Sequence, residues 1–215
     1  MRLRSRLAIP AILLAVTFAA HADTIYSTFG PGQTFAGPGY AIGAFNPFVN
    51  DVIASPFIPT ETVTLSDTVL ALTQTSGNSP MTVYIESSAG GAPNTIIDTL
   101  TQVGSIPVFP SNGLVDFTCS SCSQLDAGTM YFVVAVQGDP STEDGWYFSP
   151  TGNGTIYSNI LGSATGPWTQ STTDNHFSAF EVNGTPAATP EPSTIALFGT
   201  GLLGLAGAAR RKFLR

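Results

Sequence analysis

Between residues 7 and 209 the chain has no Lys and no Arg. Its seven basic residues all lie in 1–6 or 210–215. Residues 23–189 keep thirteen of the fourteen acids, so their formal charge is near −13, against −7 for the whole chain. Nucleic acid is thereby excluded as a partner of that segment, because neutralising phosphates requires cationic side chains. Anionic membrane surfaces are excluded on the same ground. Neutral glycans, divalent cations and basic partners stay compatible.

Histidine and cysteine are nearly as scarce, at two each. His21 falls in an N-terminal leader, which leaves His176 alone. Zinc needs about four ligands, and the chain is short of them. A Ser-His-Asp centre would have to use His176, yet no G-x-S-x-G is present and Asp174-Asn175-His176 reads as a solvated turn. Cys119-Ser120-Ser121-Cys122 is the one cysteine pair. In an exported chain its default is a disulfide. Redox use would need a cation or a helix N-terminus to lower a thiol pKa, and the flanks read as strand.

Long helical periods are also missing. Thr, Ser, Gly and Pro separate short runs of β-branched or alternating residues. Candidate strands cover 62–65, 69–73, 81–86, 95–100, 113–119, 129–137, 145–148, 155–159 and 177–182. Met81, Val83 and Ile85 would face one way, with Thr82, Tyr84 and Glu86 the other. Residues 131–136 are apolar on both faces, which predicts a central strand. Turn chemistry at 76–80, 89–93, 138–140 and 151–154 separates these runs. The expected fold is all-β, an antiparallel β-sandwich of jelly-roll-like form over 23–185. The Gly/Pro/aromatic segment 25–50 reads as an irregular cover over one sheet edge.

The two ends are different in kind. Arg2, Arg4 and Arg6, the apolar run 7–18 and Ala20-His21-Ala22 form a secretory signal peptide over 1–22, with cleavage before Asp23. The Sec translocon and signal peptidase are the partners this implies. Residues 186–192 read as an extended linker. Residues 193–209 carry no charge and read as a transmembrane helix. At 1.5 Å per residue it is about 25 Å long, slightly under a hydrocarbon core of about 30 Å. Residues 210–215 are a basic cytoplasmic tail, with Arg210, Arg211 and Lys212 as the membrane stop. Gly199 to Gly204 matches G-x-G-x-x-G, but no βαβ unit surrounds it and no dinucleotide is expected. Thr200, Gly204 and Ala208 instead line one helix face suited to close helix contact.

Pro190-Glu191-Pro192-Ser193-Thr194, the segment "GLLGLAG" and the terminal Arg cluster closely resemble the PEP-CTERM sorting signal of Gram-negative bacteria that make exopolysaccharide. The resemblance implies that an exosortase, a membrane-embedded cysteine transpeptidase, cleaves near Pro190, Glu191 and Pro192. The upstream part would then pass from the inner membrane to the cell surface or extracellular matrix. In the middle of the chain, "VTLSDTVLALTQTSG", "MTVYIESSAGGAPNTIIDTL", "LDAGTMYFVVAV" and "GWYFSPTG" resemble the choice-of-anchor β-sandwich domains, R type. That resemblance implies no catalytic residues.

The expected function is a non-enzymatic, exported surface or matrix protein with a structural or adhesive role linked to exopolysaccharide. A glycan-binding module, calcium-dependent or not, is the alternative, and a carbohydrate-active enzyme is a third. Calcium would use Asp139 and Asp144 of "GDPSTEDGWYF" with backbone carbonyls completing the shell, although acidic turns are commonly just solvated. No other cofactor is expected. An enzyme would need two facing carboxyls, for which the sequence offers no pairing. Among aromatics, Trp146, Tyr147, Trp168, Tyr157 and Tyr40 could stack on sugars if exposed, but Trp146 falls on a strand and reads as core. Trp168 follows Gly166-Pro167 in a loop and reads as an exposed platform for sugar stacking.

Overall fold

Fourteen short runs satisfy the β pattern in the computed structural model, which describes residues 22–46, 49–171, 176–186, 199 and 201–202. They are β1 (Asp23–Ser27), β2 (Ala36–Asn46), β3 (Val49–Phe57), β4 (Val63–Ser76), β5 (Met81–Ala89), β6 (Ala92–Val103) and β7 (Gly113–Thr118). Then follow β8 (Gln124–Leu125), β9 (Tyr131–Gln137), β10 (Glu143–Asn153), β11 (Tyr157–Asn159), β12 (Thr169–Gln170), β13 (His176–Ser178) and β14 (Phe180–Pro186). Every pairing between these strands is antiparallel.

The all-β expectation holds, but the sandwich is replaced by a closed barrel. Eight strands form the ring β4-β7-β6-β5-β9-β3-β2-β10, and β10 returns to β4. The closing contact is made by the second half of β4, where Leu72 pairs Trp146 and Gln74 pairs Asp144. The first half of β4 uses the same edge for β14, from Val63 opposite Pro186 to Leu70 opposite Phe180. The ladder is irregular between Asn183 and Gly184, next to Ser66. An irregularity of this kind bends a strand, and bending lets one long strand serve two partners. The separate runs expected at 62–65 and 69–73 are this single strand.

The segment expected to be an irregular cover supplies one barrel stave, β2, and opens a second, β3. Glycine does this rather than preventing it. Gly39 has φ of +90°, and a Cβ there would lie 2.8 Å from the Tyr147 Cα. Only glycine lets β2 kink this close to β10. The β5–β6 hairpin is the expected one: Ala89 pairs Ala92, with Gly90 and Gly91 at φ of 61° and 85° between them. Two left-handed residues match the twist of the flanking strands.

Inward side chains fill the barrel, as they do in closed sheets of this size. Ile42, Leu72, Val83, Phe117, Val133 and Trp146 are all fully buried in one cluster. The Trp146 indole donates to the Ala179 carbonyl at 2.9 Å. β9 is buried at every position. Tyr131, Val133 and Ala135 face the barrel core, while Phe132, Val134 and Val136 face a second cluster outside it. β11 covers that outer face: it takes the edge of β3 at Val52–Ala54 and carries β12 with it.

Candidate functional site

The residues singled out from the sequence fall into separate places. Pro190, Glu191, Pro192, Arg210, Arg211 and Lys212 lie outside the described residues, as does the expected signal peptide up to His21. Of the expected transmembrane segment only Gly199, Gly201 and Leu202 are described, all helical. Among the described residues no helix is long and apolar enough to cross a membrane.

Cys119 and Cys122 form a disulfide, with Cα atoms 5.5 Å apart. It closes the bend between β7 and β8, and both residues pack against the barrel core. Directly after it, Ser123 donates its N–H and its hydroxyl to Asp98, at 3.0 and 2.9 Å. Asp98 is buried and has no cation to meet, so neutral donors hold it.

Asp139 and Asp144 are not equivalent. Asp139 sits in the turn before β10 and accepts from the N–H and hydroxyl of Ser141, both at 2.7 Å. Those bonds hold its carboxyl below the ordinary carboxylate range. Asp144 is fully buried on β10. The Gln137 amide donates to its Oδ2, and its Oδ1 has no partner. Burial, helped by the neighbouring Glu143 charge, pushes its pKa up to about 7. The connection from β4 to β5 passes close by. Ser79 donates its N–H to the Thr142 hydroxyl at 3.2 Å, and a Cβ on Gly77 would strike that hydroxyl. Thr142 is itself buried. No group of three or more His, Cys, Asp or Glu suited to a metal ion occurs among the described residues.

Trp168 is not the exposed platform expected. It is half-buried and packs against the outer cluster with Phe132 and Val134, and its indole nitrogen is buried without an acceptor. His176 opens β13; its carbonyl accepts from the Tyr40 hydroxyl at 2.7 Å and its ring lies 5.1 Å from that of Phe148.

Two features escaped the sequence reading. Glu86 points outward from β5, as its alternation requires, yet it is fully buried. Neither carboxylate oxygen has a hydrogen-bond partner. Desolvation pushes its pKa up to about 7. Its cross-strand neighbours are Phe132 and Ile96, so apolar groups surround it on both ladders. The second is a groove of about 250 Å³ on the barrel wall where β2, β10 and β4 meet. Phe109 and Tyr147 line it, with Glu143 beside them.

No curated protein matches the chain. A family model, the PEP-CTERM protein-sorting motif, matches residues 188–212. The match starts two residues beyond the last residue of β14 and overlaps none of the barrel strands in sequence. It marks the chain as carrying the tail of an exported, cell-surface-directed protein of Gram-negative bacteria, with an exosortase as the partner of that tail.

Proposed function

We propose that this is an exosortase-processed surface or matrix protein whose barrel is a non-enzymatic, structural or adhesive domain linked to exopolysaccharide. One observation carries the reading: a sorting motif over 188–212 abuts a hydrogen-bonded domain that ends at Pro186. The chain is exported through the Sec translocon, loses residues 1–22 to signal peptidase, and is held by 193–209 until an exosortase cuts near Pro190, Glu191 and Pro192. The polar residues weighed for chemistry are engaged in structural roles, with Asp139 in a turn, Asp144 beneath Gln137 and Cys119 in a disulfide. The likeness to choice-of-anchor domains fits such a role, although those domains are sandwiches and this ring is closed.

Intact-mass measurement and C-terminal sequencing of extracellular material, from hosts with and without an exosortase, test the proposal. Material ending before Arg210 only when the enzyme is present supports it. Extracellular protein that retains Arg210, Arg211 and Lys212 in both hosts refutes it.

A further inference from the structure

The wall groove has a built shape. Register places it: Trp146 lies opposite Tyr40, and Gly145 lies opposite Ala41 on one side and Thr73 on the other. Gly39, Ala41 and Gly145 therefore make a shallow floor almost free of side chains. Loop 107–112 forms one rim. Phe109 donates its N–H to the Gln74 carbonyl at 2.9 Å, which fixes the loop beside β4. The Phe109 side chain nevertheless stays 63% exposed, a large apolar ring left facing water. Tyr147 also lines the groove and meets the same loop. Its ring packs on Phe35 at 5.0 Å, and its hydroxyl accepts from Asn112 at 3.3 Å, so it is held in place before any ligand arrives. A Cβ on Gly37 would press on that ring at 3.2 Å, and glycine leaves it room.

We infer that this groove binds a neutral polysaccharide, packing one sugar ring against Phe109 and Tyr147 with its hydroxyls directed at Glu143 and Thr75. Pyranose rings present C–H faces that suit aromatic walls and hydroxyl edges that suit a carboxylate. At about 250 Å³ the groove is smaller than a drug-sized pocket, in keeping with one ring of a longer chain passing over an open floor. Charge selects among glycans: with no Lys or Arg in residues 23–189, an anionic polymer meets repulsion and no counter-charge. A basic peptide is the less suitable occupant. Glu143 is the one carboxylate side chain offered there, because the Asp144 carboxylate is buried against Gln137. The site gives the adhesive part of the proposed function a ligand class, and it does not depend on the sorting part.

The test is calorimetric titration of the full chain in detergent with neutral glucan, galactan and mannan oligosaccharides, an oligouronate and a lysine-rich peptide. Binding of at least one neutral oligosaccharide is expected, with none of the oligouronate. Phe109→Ala, at an exposed site that leaves the barrel intact, lowers the association constant about tenfold, the scale of one lost stacking contact. Trp168→Phe, on the outer cluster, leaves the constant unchanged. The inference is overturned if no neutral glycan binds, if the peptide binds more tightly than all of them, or if Phe109→Ala binds as well as the parent. None of these readouts involves residues 188–212, so a failure of sorting and a failure of binding are seen separately.

Discussion

Glu86 makes the stability of this barrel depend on pH in the direction opposite to most acidic proteins. Its carboxyl is fully buried, lacks partners on both oxygens, and has its pKa raised from 4.5 to about 7. The unfolded chain releases this proton near 4.5, whereas the folded chain keeps it up to about 7. Between those values the folded state binds more protons, so stability is full below the lower value and falls as pH rises through the upper one. Each tenfold change in proton affinity is worth about 1.4 kcal/mol, which caps the loss near 3 kcal/mol; solvent relaxation around the carboxylate reduces it to about 2 kcal/mol. For a chain of this size that is a fall in Tm of about 6 °C between roughly pH 5 and pH 8. Asp144, also raised to about 7, adds in the same direction. Glu86→Gln keeps the shape and removes the charge, so its Tm declines less over the same range while Asp144 continues to contribute. Thermal melts of both proteins at several pH values decide it. A parent protein that grows more stable from pH 5 to pH 8, or a variant with an unaltered slope, refutes the reasoning.

Three further outcomes follow from the same structure. Gly39→Ala is expected to cost about 3 kcal/mol or more in urea unfolding, because φ of +90° and the nearby Tyr147 Cα both exclude a Cβ. Trp168→Phe should cost about 1 kcal/mol, since the lost indole N–H has no acceptor to forfeit, whereas Trp168→Ala uncovers the outer cluster and should cost about 3 kcal/mol. Added sodium chloride should raise the Tm, because residues 23–189 contain like charges to screen and no ion pairs to weaken.

Several features of the barrel are written locally and could be read directly. The two-faced apolar run of β9, the Gly90-Gly91 hairpin, the Cys119–Cys122 bridge and the core assignment of Trp146 each show in residue types within a few positions of one another. Closure is different. Alternation with period two describes a sandwich and a barrel equally well, and the deciding contact joins residues 72–76 to 143–146. Trp168 was misread because residues 157–170, remote in sequence, fold over the outside of β3 and β9. Alternation told that Glu86 faces outward, but not that Phe132 and Ile96 would lie opposite it. The groove was unreadable in the same way, because Ala41, Phe109 and Tyr147 meet only through strand register and the bridge from loop 107–112 to Gln74. Gly39 misled most, since a glycine that reads as irregular chain is what permits the closest strand approach.

The absence of cations also explains how this domain treats its acids. Asp67 accepts from Ser66 and Asn183, at 2.8 and 2.7 Å, and Asp98 and Asp139 are held by Ser123 and Ser141. Neutral donors give weaker bonds than charged ones but lose nothing to salt. The arrangement matters most where the domain meets its two ends. Asp23, which opens β1, pairs with Gly184 near the close of β14. The residues before Asp23 and the sorting motif after Pro186 therefore continue from one ladder at one edge. Among the described residues, every strand pair lies between Asp23 and Pro186. A domain whose first and last strands hold each other, and whose partnered acids are met by its own neutral donors, pins the two ends of its fold with its own bonds.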